Sequence, residues 1–124
     1  MKDGKHVILC VDDDPDVLES LKLFLSAKYH VETVAGAADG LQRYKQLRPD
    51  LVLVDLMMEE IDAGAAFVRD LKALGPTPPI YMLSAVGDSL NSTTDFSSLG
   101  LNGILQKPVE PRKLLALLEA NLGR

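Results

Sequence analysis

DLVLVDLMM, residues 50–58, is the stretch from which the rest of the chain can be placed. Leu51, Val52, Leu53 and Val54 follow one another with no polar alternation, the pattern of a strand buried on both faces of a parallel sheet. A strand covered by helices on both sides meets water only at its tips. Asp55 stands at the carboxyl tip, where open α/β sheets place their ligands. An aspartate at a strand end can also be a turn former or a helix cap, so the other strand ends decide its role.

Upstream, residues 6–11 (HVILCV) form a short apolar run that ends abruptly in Asp12, Asp13 and Asp14. Pro15 follows, a residue favoured in a first helical turn, with Asp14 as N-cap. Val17, Leu18, Leu21, Phe24 and Leu25 then recur at helical spacing. Residues 29–34 read as a weaker, partly polar strand near an edge of the sheet. Gly36 opens a helix carrying Leu41, Tyr44 and Leu47, with Gly40 as a local weakness inside it, and Pro49 breaks the chain before the central strand.

Downstream, residues 59–64 make a loop with an acidic tip. A helix with Phe67, Val68, Leu71 and Leu74 on one face stops at Gly75 and Pro76. Residues 80–83 form another buried strand with Ser84 at its end. Residues 87–99 are rich in Ser, Thr, Asp and Asn, which gives a weak fourth helix, expected to be the most mobile part of the fold. Residues 103–106 are a short fifth strand ending at Lys107 and Pro108. The last helix has Glu110 near its cap and Pro111 in its first turn, and Leu114, Leu115, Leu117, Leu118 and Leu122 form its apolar face. Five strand–helix alternations predict a parallel α/β sheet with helices on both faces, one domain over residues 1–124.

The bulk properties narrow the function classes. A net charge of −5 argues against a nucleic-acid surface, which needs a basic face. The start MKDGKH lacks the apolar stretch of a signal peptide, and no apolar run is long enough to span a membrane, so a cytoplasmic domain is expected. The single cysteine, Cys10, lies in an apolar strand and reads as a small buried hydrophobe. His6 and His30 fall in different strands with no partner at metal-ligand spacing and read as structural or surface groups.

Every polar oddity falls at the carboxyl end of a strand: Asp12 and Asp13 after the first, Asp55 after the third, Ser84 after the fourth, Lys107 after the fifth. In a parallel sheet those ends share one edge, so the five side chains can converge. Three neighbouring carboxylates repel one another and call for a cation, and an oxygen-only set with few ligands suits Mg²⁺. Lys107 adds a point charge and Ser84 a hydroxyl, the groups that hold the oxygens of a transferring phosphoryl group. Met57 stands two positions after Asp55, so the second carboxylate of a D-x-D phosphohydrolase is missing. VDDDPD would repel the phosphate of a nucleotide or flavin, where such binders carry a Gly- or Ser-rich turn.

With these residues in hand, the sequence resembles the receiver domain of bacterial two-component response regulators, of the chemotaxis-regulator type. The likeness spans essentially the whole chain and rests on ILCVDDDP, PDLVLVDLMM, IYMLSA and GILQKP. It implies a flavodoxin-like (βα)5 three-layer sandwich with strand order 2-1-3-4-5. It implies phosphorylation of Asp55, with Asp13, Asp55 and the backbone carbonyl of Met57 binding Mg²⁺ and Asp12 contributing through water. Lys107 is then the catalytic cation, aimed by a cis bond before Pro108, and Ser84 the switch hydroxyl. The implied donor is the phosphohistidine of a sensor histidine kinase or histidine phosphotransfer protein. The implied response is a change of the face made by the fourth helix, fifth strand and fifth helix, through which a homodimer can also form. No membrane or nucleic-acid contact by this domain is implied. Such a chain is a signalling phospho-acceptor that catalyses its own phosphorylation and slow dephosphorylation, rather than an enzyme acting on a separate substrate.

Four positions set this chain apart within the family pattern. Glu59 replaces a proline in the loop after Asp55 and adds negative charge near the site. Ile104 stands where the family carries an aromatic switch residue, so no ring can report phosphorylation from that place. Met57 and Val86 occupy the positions that border the path of the hydrolytic water, and two apolar side chains there imply a long-lived acyl phosphate.

Overall fold

The computed structural model describes residues 4–55, 63–84, 101–107 and 109–122. Five parallel strands, β1 (Val7–Val11), β2 (His30–Val34), β3 (Leu51–Asp55), β4 (Ile80–Ser84) and β5 (Gly103–Gln106), form one sheet in the order β2-β1-β3-β4-β5. Four helices are described: α1 (Pro15–Leu25), α2 (Ala37–Leu47), α3 (Ala63–Ala73) and α4 (Pro111–Leu122), the last being the final helix of the sequence reading. The weak helix expected over 87–99 lies outside the described residues, as do Met57, Glu59, Val86 and Pro108.

The unbroken apolar runs become the middle of the sheet. Every residue of β1 and of β3 is buried, whereas the edge strands β2 and β5 are only partly covered. One face packs Leu9, Val11, Val52, Val54, Ile80 and Met82 against α2 and α3, which contribute Leu41, Tyr44, Phe67, Val68 and Leu71. The other packs Ile8, Cys10, Leu51, Leu53 and Leu83 against Leu18, Leu21 and Leu25 of α1 and Leu114 and Leu118 of α4. Side chains that alternate along each strand feed the two cores, which makes three layers.

Polar clips set the register at the amino end of the sheet. The Asp50 carboxylate accepts the amide of Val7 at 2.7 Å, while its own amide donates to the Val7 carbonyl at 2.7 Å. Asn102 and Ile80 join β5 to β4 in the same reciprocal way, at 2.8 and 3.1 Å. His30 meets the Glu32 carboxylate at 2.7 Å, and Arg43 of α2 donates to the other oxygen at 2.6 Å, so this histidine is structural.

Helix ends follow local chemistry. α2 stops at Arg48, in the left-handed region at φ 51°, because Pro49 has no amide to continue the ladder. α3 begins at Ala63 and so takes in Gly64, which the sequence had left in the loop. Beyond its end Gly75 adopts φ 127°, a conformation that favours glycine.

Two residues, Gly40 and Phe24, depart from what helical spacing alone suggests. Gly40 is a contact point rather than a weakness: a Cβ there would lie 3.1 Å from both Phe67 and Val11, so its bare backbone lets α2 approach β1 and α3. Phe24, which shares its helical spacing with the buried Leu18, Leu21 and Leu25, is 36% exposed, beside Leu23 at 76%.

Candidate functional site

The strand registers pair Val11 with Val54, Asp55 with Leu83 and Ser84 with Gln106, so β1, β3, β4 and β5 end at nearly one level. Asp12, Asp55, Ser84 and Lys107 are brought together by that levelling. The Asp12 amide donates to the Val34 carbonyl at 3.1 Å, and the Lys107 amide to the Ser84 carbonyl at 2.7 Å, which extends the ladders past the last strand residues.

Asp12 and Ser84 are fully buried and Asp55 is 4% exposed, while Asp13 faces solvent. One oxygen each from Asp12, Asp13 and Asp55 lie within 4.8 Å of one another, so the three aspartates expected to act together do converge. The Lys107 ammonium is 2.8 Å from Asp12 Oδ2 and 3.2 Å from Asp55 Oδ1. Burial pulls Lys107 toward the neutral amine, but the Asp12 and Asp55 carboxylates outweigh it and hold the ammonium above its usual range. It therefore stays charged at neutral pH. Burial, aided by the Asp12 charge, pushes the Cys10 thiol up to about 12, which fits its reading as an inert core group.

The acceptable ligands follow from these donors. Three hard oxygens, two buried and one open to solvent, fit a small divalent cation that keeps part of its water shell. Among the described residues one ammonium, paired with Asp12 and Asp55, stands beside three clustered carboxylates, and the remaining negative charge also favours a cation.

The turn from β1 into α1 was legible in sequence, but its wiring was not. Asp12 Oδ1 accepts the amide of Asp14 at 2.9 Å, and Asp14 Oδ1 accepts the amide of Asp16 at 2.9 Å as the N-cap of α1. The direct pairing of Lys107 with Asp12 goes beyond the convergence of strand ends that the sequence implies. Its only sequence signal is that a buried carboxylate needs a partner. A cavity of about 200 Å³ beside Lys107 is lined by Val17, Leu21 and Phe24 of α1 and by Val109. Ile104 is 38% exposed on β5, on the opposite sheet face from Leu105.

Comparison with known proteins agrees with this architecture. The response regulator receiver domain family model matches residues 8–119. The DNA-binding response regulator MtrA of Mycolicibacterium smegmatis is 35% identical over 118 residues, covering 94% of this chain and 50% of that protein. The response regulator MprA of Mycobacterium sp. (strain KMS) is 37% identical over the same share of this chain and 50% of its own length. The chain thus spans about half the length of these curated relatives. Among solved structures, the chemotaxis protein CheY4 of Vibrio cholerae superimposes with a TM-score of 0.83 at 28% identity, covering 96% of this chain and all (100%) of that one. With residues 8–119 matched by the family model and five parallel strands in the order 2-1-3-4-5, the chain belongs to the receiver domain family of two-component response regulators.

Proposed function

We propose that the chain takes a phosphoryl group from a phosphohistidine of a sensor histidine kinase or histidine phosphotransfer protein onto Asp55. The observation that carries this reading is the position of Asp55, nearly buried at a strand tip with Lys107 3.2 Å from one of its oxygens. A carboxylate oxygen of Asp55 attacks phosphorus, the bond from phosphorus to the donor imidazole nitrogen breaks, and the imidazole leaves with the electron pair. The Lys107 ammonium lies where charge collects on the phosphoryl oxygens, and β3 holds the acceptor fixed, so positioning and electrostatics supply the catalysis. Asp12, Asp13 and Asp55 would hold Mg²⁺, joined by the carbonyl of Met57. When bound, the ion supplies positive charge against the phosphoryl oxygens and offsets the repulsion among the carboxylates.

The hydroxyl of Ser84 follows the new phosphoryl group and carries the end of β4 with it. The response is then a shift between two states with different contacts on the face around β5 and α4. The test is incubation with phosphoramidate and Mg²⁺, followed by intact-mass measurement. One phosphoryl group should appear in the parent protein and none in Asp55→Asn. Mass gain that persists in Asp55→Asn removes Asp55 as the acceptor, and no gain in the parent leaves a fold used only for binding.

A further inference from the structure

We infer that Asp14, through its cap on α1, is a positioning residue for the acidic site, fixing the turn that aims Asp13 and holds Asp12; this rests on the phospho-acceptor reading above. Asp12 is fully buried and engages both of its oxygens, Oδ2 with Lys107 at 2.8 Å and Oδ1 with the amide of Asp14 at 2.9 Å. Asp14 sits at φ −95°, ψ 109°, the point where the extended chain turns into the helix. Its own carboxylate accepts the Asp16 amide at 2.9 Å, and its carbonyl accepts the Leu18 amide at 3.2 Å. The backbone of residue 14 is therefore tied on one side to α1 and on the other to a buried carboxylate of the site.

Asp13 lies between those two anchors and is exposed. Its direction follows from the backbone at residues 12 and 14, because a short side chain cannot swing far from its own Cα. An N-cap side chain holds its residue in the extended conformation that the helix start requires. Without it the amide of residue 14 is free to turn from Asp12, and Asp12 Oδ1 and Asp13 lose their common frame. Partners that orient ligands without touching the ion carry about tenfold or more in metal affinity.

Charge and positioning can be separated at this residue. Asn caps helices about as well as Asp but carries no charge, and Ala does neither. The experiment titrates Mg²⁺ alone into the full chain at 25 °C, followed by amide NMR shifts, for the parent, Asp14→Asn, Asp14→Ala and Ser26→Ala. Ser26→Ala removes a side-chain bond to the Lys22 carbonyl at the far end of the same helix, as a control for helix stability. Asp14→Ala should bind roughly tenfold more weakly, while Asp14→Asn stays within about twofold of the parent and Ser26→Ala is unchanged. Without Mg²⁺, the residue 14 amide should exchange faster in Asp14→Ala and remain protected in Asp14→Asn. If Asn weakens binding as much as Ala, charge accounts for the effect and the positioning role is overturned. It is overturned as well if Ala binds as tightly as the parent, or if Ser26→Ala weakens binding equally. A parent protein whose shifts ignore Mg²⁺ instead defeats the acceptor reading, and this inference with it.

Discussion

The backbone amide of Lys107 donates to the carbonyl of Ser84 at 2.7 Å, so the residue carrying the ammonium and the residue carrying the hydroxyl are one hydrogen bond apart. Ser84 ends β4 and Lys107 follows β5, and their side chains are placed by that shared backbone link. A displacement of residue 84 is therefore felt at Lys107, whose ammonium already spans Asp12 and Asp55. The ammonium and the hydroxyl share one backbone frame.

Lys107→Ala tests the neutralising role. It leaves Asp12 and Asp55 buried with no ammonium between them. Breaking a fully buried pair costs about 3–5 kcal/mol. The Lys107 side chain keeps 18% of its surface in water, so a loss of about 1–3 kcal/mol is expected after screening. Urea denaturation without divalent ions measures it. Phosphoryl uptake from phosphoramidate should slow in the same variant, and an unchanged rate would deny Lys107 its part in the transfer.

Asp13 provides the opposite case. It is an exposed carboxylate with one oxygen within 4.8 Å of oxygens from two buried ones, so without a metal its charge only adds repulsion. Asp13→Asn should raise the melting temperature in EDTA. The parent should be stabilised by Mg²⁺, by about 2.7 kcal/mol at a hundredfold excess over Kd, and the variant far less. Melts that respond equally to Mg²⁺ in both proteins would exclude Asp13 as a ligand.

Much of the fold was legible because its strands are extreme. Residues 51–54 and 7–11 are apolar without interruption and became the fully buried centre, while the half-polar residues 30–34 became an edge. The site was legible for a related reason: Asp12, Asp55 and Ser84 are polar where each strand leaves the core, and a parallel sheet brings those ends to one edge. Phe24 and Leu23 were not, because helical spacing shows which residues share a stripe but not whether a second element covers it. The Asp12–Lys107 pair joins residues from opposite ends of the chain, and spacing carries no information about whether such a contact is direct or through water.

Gly40 was misread for the same reason, and it yields a prediction whose sign the geometry decides. In an exposed helix, Gly→Ala gains about 1 kcal/mol. Here the new Cβ would stand 3.1 Å from Phe67 and 3.1 and 3.2 Å from the two methyls of Val11, both buried in the core. Overpacking of that kind costs about 1–3 kcal/mol, so Gly40→Ala should lower stability despite its better propensity. A urea midpoint above that of the parent would show that α2 can shift away at little cost.

Cys10 allows the alkaline limit of the fold to be worked out. Burial first, then the neighbouring Asp12 charge, raise the thiol from 9.0 to about 12. In the unfolded chain the thiol ionises from about pH 9, whereas the folded chain keeps its proton, so the folded state binds more protons between the two values. Stability from this group is fully present below the unfolded value and falls as pH rises toward the folded one, by about 1.4 kcal/mol for each unit crossed. Cys10→Ala lacks this linkage. It should be less stable at pH 8, for want of packing, yet lose stability more slowly between pH 9 and about 11. The same burial makes the native thiol inert, so a disulfide reagent at pH 8 should label Cys10 only as fast as the protein unfolds. Rapid labelling without unfolding, or parallel alkaline stability curves for the two proteins, would show that the strand core around Cys10 admits water.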